Sequence, residues 1–387
     1  MGSGMTRVPV NPDLLRWARE RAEIAQQDLT GKFKKLPEWE RGEMQPTLKQ
    51  VEAFARAVHV PVGYLFLSEP PEEPIPIPDF RTVAGRTVRR PSPNLLDTIY
   101  ACQERQSWYR DFVRGAGQTA LSCIGSATLD RSPESVAAQM RETLGFDLAD
   151  HQQCSTWTDA LRWFIGRIEA IGVLVMVSGV VMSNNRRRLD VAEFRGFALS
   201  DAFAPLIFVN GTDTKAAQMF TLAHELAHLW LDASALSNVS VKPQSGFRRE
   251  EIWCNAVAAE LLVPLAALRD RLSADEPLDN VLSRLAQAFK VSKLVILRRL
   301  LDAGWIDHAC FDSAWAEEIR WLQSRDQSTS GGDFYRTTLT RVGRRFTHAL
   351  VVSTLEGQTL YRDAFRMLGV AKTKTFNQLG CEVGVMG

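Results

Sequence analysis

The residues best equipped for chemistry are His224, Glu225 and His228. They form His-Glu-x-x-His within Thr-Leu-Ala-His-Glu-Leu-Ala-His-Leu-Trp-Leu, residues 221–231. On a helix, positions four apart share a face, about one turn from each other. Two imidazoles so placed can reach one metal ion. Glu225, one position round, can face a water beside that ion. This set suits metal-assisted peptide hydrolysis, with zinc as the cofactor and Glu225 as general base. Leu222, Ala223, Leu226, Ala227, Leu229 and Trp230 are apolar, so the helix is expected to be buried nearly all round. Two His and a Glu in that setting need partners, and a metal supplies them. The plainer alternative is a pair of histidines bonded only to carbonyls.

Catalytic zinc commonly takes three protein ligands and leaves one position open. His59, His151, His308 and His348 stand in other segments, so a carboxylate from downstream is the better third ligand. Arg249 to Pro264 reads as a second helix, stopped by the proline, and carries Glu250, Glu251 and Glu260. Helical spacing puts Glu251 on one face with Cys254, Asn255 and Ala258, all small or polar. Glu250 lies about 100° away and Glu260 near the helix end. Geometry favours Glu251 only modestly, and all three acids stay open on that ground.

His224-Glu-Leu-Ala-His228 followed by Glu251-x-x-Cys-Asn255-x-x-Ala-Ala-Glu-Leu-Leu-x-Pro264 resembles the ImmA/IrrE family of zinc-dependent peptidases. The resemblance runs from about Leu161 to Pro264. It implies a gluzincin-like site with His224, His228 and Glu251 on zinc and Glu225 as general base. It also implies a protein substrate of the repressor or antitoxin type. Trp39-Glu40-x-Gly42, Pro46-Thr47 and Ile77-Pro78-Asp79-Phe80-Arg81 resemble the Xre-type helix-turn-helix domain that often precedes this peptidase. Here the pattern departs: Lys32-Phe33-Lys34-Lys35 and Pro37 stand where a recognition helix would begin. Residues 5–68 carry ten basic and eight acidic residues. DNA binding therefore competes with a use in protein contact or homodimerisation.

These residues need a scaffold. Leu14, Leu15, Ala18 and Ala22 mark a first helix, Gln26–Phe33 a second. Leu48, Val51, Phe54, Ala55 and Val58 mark a third, opened by Pro46-Thr47. Residues 5–68 are thus a helix-turn-helix-like domain. Residues 69–93, with seven prolines, are a linker whose Arg81, Arg86, Arg89 and Arg90 form either a solvated stretch or a phosphate-contacting arm. Residues 94–310 are the peptidase-like domain. In it, Trp157–Ala170 is an amphipathic helix, and residues 172–177, 194–199 and 205–209 are strands of a small antiparallel sheet. The strand just before the metal helix is expected to line the cleft and to offer an edge to extended substrate. Gly211-Thr212-Asp213 or Thr214 caps that helix. Residues 311–387 are a helical C-terminal region after a Ser328–Gly332 linker, and residues 320–387 hold ten Arg plus Lys against five Asp plus Glu. A solvated face is one use of that excess, an acidic partner or nucleic acid the other. The class is α+β, mostly helical.

Net charge is +1 over 387 residues, which demands neither nucleic acid nor a membrane surface. No apolar run reaches the roughly 18 residues that span a bilayer. Met1-Gly2-Ser3-Gly4 ahead of Met5 reads as an expression remnant and is set aside. Six scattered cysteines (102, 123, 154, 254, 310 and 381) without a Cys-x-x-Cys pair fit reduced thiols in the cytoplasm. Within the site, Asn255 can orient a ligand or simply bond backbone. Cys254 can approach zinc or simply fill space. Trp230 and Trp253 read as core. Tyr335, Tyr361, His308 or an Arg are open candidates for steadying the oxyanion. The leading expectation is a zinc endopeptidase in a regulatory circuit, including toxin–antitoxin regulation. Its rival is a regulator that keeps the peptidase fold and works by contact alone.

Overall fold

A computed structural model describes residues 6–78, 91–237, 249–273, 276–324 and 334–386, with the side chains of 323 and 324 excepted. Met1–Met5, the four arginines 81, 86, 89 and 90, and the Ser328–Gly332 stretch lie outside the described residues. The chain divides into two compact units, Met1–Pro76 with Arg89–Asp97, and Ile77–Val88 with Thr98–Gly387.

In the first unit, α1 (Pro12–Arg21), α2 (Gln26–Thr30), α3 (Leu36–Glu40) and α4 (Leu48–Ala57) enclose Leu14, Leu36, Trp39 and Phe54. Asn11 caps α1, and Thr47 with Gln50 closes a capping box on α4. The start at Pro46-Thr47 was readable from the sequence. Pro37 sits in the first turn of α3, which ends after five residues. Glu40 is buried and paired to Arg19 at 2.7 Å, which ties α3 to α1.

The second unit contains α5 (Pro93–Gly115) from Thr98 onward, then α6 (Pro133–Leu144), α7 (Leu148–Gln153) and α8 (Trp157–Ala170). The sheet consists of β1 (Leu174–Ser178), β2 (Gly196–Leu199), β3 (Leu206–Asn210) and β4 (Ala235–Ser237), in the order β1-β3-β2-β4. The α+β class holds, but the sheet is mixed rather than wholly antiparallel. β1 pairs β3 in parallel, whereas β2 is antiparallel to both β3 and β4. The reason is topological: β2 and β3 fold back on each other, and β3 then turns its other side to β1. Every strand residue is buried, which suits the unbroken apolar runs of β1 and β3. Side chains alternate across the sheet. Val175, Val177, Ile207 and Val209 join the core that holds the metal helix. On the opposite face Phe197 stacks on Phe208, and Met176 meets Cys102 of α5.

One expectation is overturned here. The strand preceding the metal helix is β3, and β3 lies between β1 and β2, so it offers no edge to a substrate. The strand outside β2 is β4, which follows that helix in sequence. Leu236 of β4 donates its N–H to the Pro78 carbonyl at 3.0 Å, so part of its outer edge is already taken.

The helix that carries His224, Glu225 and His228 is α9 (Lys215–Trp230), capped by Thr214, whose hydroxyl accepts from the Ala217 N–H. α10 (Arg249–Leu262) packs beside it, and α11 (Leu265–Arg269), α12 (Leu278–Phe289), α13 (Lys293–Asp302) and α14 (His308–Ser324) follow. Lys290 in the left-handed region and the Ser292 cap make the turn between α12 and α13.

α15 (Phe334–Val342), α16 (Arg344–Leu355), α17 (Tyr361–Leu368) and α18 (Thr373–Glu382) form the C-terminal region. Rather than standing apart, it lies within the second unit. Between α15 and α16, Gly343 has φ +83°, and a Cβ there would stand 2.8 Å from the Val175 carbonyl. The backbone therefore approaches β1 as only glycine allows.

Next to it, Glu169 is buried and accepts the Arg345 N–H at 3.0 Å. Burial pushes its carboxyl up to about 7, against the opposing pull of that N–H and of Arg344 and Arg345. The folded state thus keeps a proton that the unfolded chain gives up near its ordinary 4.5. Stability falls as pH rises from about 4.5 to about 7, by roughly 3 kcal/mol at about 1.4 kcal/mol per pH unit. Glu169→Gln lacks this loss. Urea unfolding should show the variant close to wild type below pH 4.5 and more stable by that amount at pH 8. An equal difference at both pH values contradicts the assignment.

Candidate metal centre

α9 presents His224, Glu225 and His228 on the side that faces α10 and the sheet, and all three are fully buried. α10 supplies Glu251, also buried. The Nε2 atoms of His224 and His228 lie 3.1 Å apart. Glu251 reaches His228 Nε2 at 3.0 Å through Oε1 and His224 Nε2 at 3.4 Å through Oε2. Among the described residues these three side chains form the one cluster of His, Cys, Asp and Glu suited to a shared ion.

The spacing allows a direct test of fit. Ligand atoms about 2.0–2.1 Å from a tetrahedral zinc stand about 3.3 Å from each other. The observed 3.0–3.4 Å matches that separation. The tautomer fits as well. His224 Nδ1–H donates to Asn255 Oδ1 at 3.0 Å, leaving the Nε2 lone pair for a metal. Nitrogen, nitrogen and carboxylate oxygen are also donors that zinc accepts.

The charges are set by burial and by neighbours. Burial alone would raise the Glu251 carboxyl, but the two imidazoles beside it overcome this and hold it below the usual carboxylate range. Burial, moderated by Glu251, lowers His228. Burial and then the charge of Glu251 push Glu225 well above its ordinary value. Glu225 has no hydrogen-bond partner within 3.5 Å on either carboxylate oxygen.

The other acids of α10 are separated by their partners. Glu260 forms a buried ion pair with Arg299 of α13 and accepts the Leu265 N–H, closing the helix end. Glu250 is outside the cluster. Cys254 is fully buried, burial and then the charges of Glu251, Glu225 and Glu250 push its thiol well up, and it is not among the cluster. Trp230 is core, and Trp253 bonds the Arg131 carbonyl. Of the oxyanion candidates, Tyr335 packs on Phe334, Tyr361 packs on Phe365 and Phe376, and His308 opens α14.

A segment of 134 residues around this cluster carries a recognisable signature. Residues 168–301 match the family model of the IrrE N-terminal-like domain, peptidase M78. The match runs from the end of α8 through α13 and contains His224, Glu225, His228 and Glu251. A second model, described as a domain of unknown function (DUF8813), matches residues 342–382. No curated protein matches the chain. The IrrE-like domain supports a peptidase type of protein and agrees with the cluster's donor set.

Two residues of the IrrE-like site carried no signal in the sequence. Ser237, at the end of β4, is buried with its hydroxyl 3.5 Å from His228 Nε2. Gly196 of β2 lies over Glu225. A Cβ there would meet Thr221 Cγ2 at 2.7 Å, the Phe208 carbonyl at 2.9 Å and Glu225 Oε1 at 3.1 Å. A glycine opening a strand gives no hint that the helix bearing Glu225 passes beneath it. Gly196→Ala is expected to force β2 away from α9, costing about 1–3 kcal/mol as overpacking does. Thr221→Ser removes the colliding methyl and should restore part of that loss in denaturant unfolding. A Gly196→Ala protein as stable as wild type contradicts the close approach.

Proposed function

We propose that the protein is a zinc-dependent endopeptidase that cuts a small regulatory protein of the repressor or antitoxin type. The observation that carries this reading is the convergence of His224, His228 and Glu251 with Glu225 alongside. His224, His228 and Glu251 would hold the zinc. When bound, zinc lowers the pKa of water and polarises the scissile carbonyl. Glu225 takes the proton of the attacking water and hands it to the leaving amine. Asn255 fixes the His224 ring, and Glu260 with Arg299 anchors the helix that carries Glu251.

The N-terminal unit, read as Xre-like, would bring the peptidase to DNA or to a DNA-bound partner. The brevity of α2 and α3 favours contact with a protein, a second copy of this chain included. No helix among the described residues is long and apolar enough to cross a membrane. The six free thiols suit a reducing cytoplasm.

One observation favours a second reading, a regulator that works by contact without cutting. All four site side chains are buried, and β4 places Ser237 against His228. Under the peptidase reading β4 must give way to substrate. The test is incubation of the zinc-loaded protein with small proteins encoded beside it, with and without a chelator. Chelator-sensitive cleavage of one of them supports the peptidase. Bound zinc with every candidate left intact supports the contact regulator.

A further inference from the structure

Two arginines on the face of the sheet opposite the metal centre are buried without a counter-charge. Arg105 of α5 is 4% exposed and Arg341 of α15 is 7% exposed. Arg105 donates from Nε to the Met367 carbonyl at 3.0 Å, and its Nη1 lies 3.7 Å from Met176 Sδ of β1. Arg341 donates from Nη2 to Thr338 Oγ1 at 3.2 Å, and its buried Nε has no partner. Among the described residues no carboxylate pairs with either guanidinium. Glu104, next to Arg105 in sequence, is drawn to Arg366. Cys102 supplies no charge, because burial pushes its thiol up to about 12.

A guanidinium does not give up its proton in a protein, so both charges persist. Burial, and then the neighbouring charge of Arg105, lower Arg341 to about 10, and burial lowers Arg105 as well. Proteins rarely bury one unpaired cation, and two that repel each other are costlier still. The planar, forked donors of arginine are matched to oxyanions. Beside them, the Gly369 backbone follows α17. A Cβ on Gly369 would stand 4.0 Å from Arg341 Nη2 and 3.3 Å from the hydroxyl of Ser183, an exposed residue. The missing Cβ lets Ser183 approach the backbone closely beside the guanidinium.

We propose that Arg105 and Arg341 form a binding site for a phosphate group, with Ser183 at its mouth. The ligand is either inorganic phosphate or the phosphate end of a nucleotide. It would join α5, the β1 strand and the C-terminal helices through one shared anion, away from the peptidase chemistry.

The test is thermal unfolding of the full-length protein at constant ionic strength, with chloride exchanged for phosphate up to about 10 mM, and in parallel with AMP. The melting temperature of wild type should rise by several degrees and saturate. Arg341→Met and Arg105→Met should lose that rise, while Arg336→Met, an exposed position on the same helix, keeps it. Without phosphate, Arg341→Met should melt no lower than wild type, because an uncompensated charge has been removed. A larger rise with AMP assigns the site to a nucleotide, and an equal or smaller one to the free ion. No rise with either ligand, or an undiminished rise in Arg341→Met, overturns the proposal. Should the methionine variants fail to fold, phosphorus NMR line broadening by wild type decides. Broadening that sulfate reverses and chloride does not supports the site, and its absence refutes it.

Discussion

Glu225→Gln should lower the rate of peptide cleavage by about 10²–10⁴-fold, the usual contribution of a positioned general base. The substitution changes little else. Glu225 is fully buried, and glutamine copies its shape without its capacity to take a proton. The three other site side chains keep their positions, so zinc content should be unchanged. Steady-state cleavage of the natural partner, with metal analysis of the same preparation, checks both halves. A variant that binds zinc and retains a tenth or more of wild-type activity removes Glu225 from the chemistry. A variant that loses its zinc shows instead that Glu225 shapes the metal centre.

The second large effect belongs to α10. Glu251→Ala removes the carboxylate that reaches both imidazoles, at 3.0 and 3.4 Å. Asn255→Ala removes only the acceptor that orients His224. Losing an outer partner of this kind weakens metal binding by about 10–100-fold. Losing Glu251 itself should weaken it further, and the order wild type, Asn255→Ala, Glu251→Ala should appear in competition titrations against a chromophoric zinc chelator. Glu260→Gln is a useful contrast. It breaks the buried pair with Arg299 and should cost stability, yet leave zinc affinity near wild type. If Glu260→Gln lost zinc while Glu251→Ala kept it, the ligand assignment would be reversed.

Local signals in the sequence carried the helices well. Trp157–Ala170 begins and ends where its amphipathic spacing said it would, Thr47 caps its helix as read, and of the two caps open for α9 Thr214 is the one used. His224, Glu225 and His228 were readable because four-residue spacing on a helix is itself a geometry. What was not readable depends on pairing between distant segments. The order of the strands is one case: β3 meets β1 in parallel and hides the edge that substrate was expected to use. β4 is another, since Ala-Leu-Ser has no strand pattern and is held by its pairing with β2. The choice among Glu250, Glu251 and Glu260 was likewise non-local. Glu260 is claimed by Arg299, 39 residues away, a partner that spacing along one helix cannot reveal.

Zinc K-edge X-ray absorption on the purified protein reads the coordination shell itself. The expected result is about one zinc per chain with a shell of nitrogen and oxygen only, at about 2.0–2.1 Å, including two imidazoles and one carboxylate. A sulfur shell near 2.3 Å would bring Cys254 into the coordination sphere, and an absence of zinc would leave the three converging side chains without the metal they are proposed to hold. Either result contradicts a metal centre built from His224, His228 and Glu251.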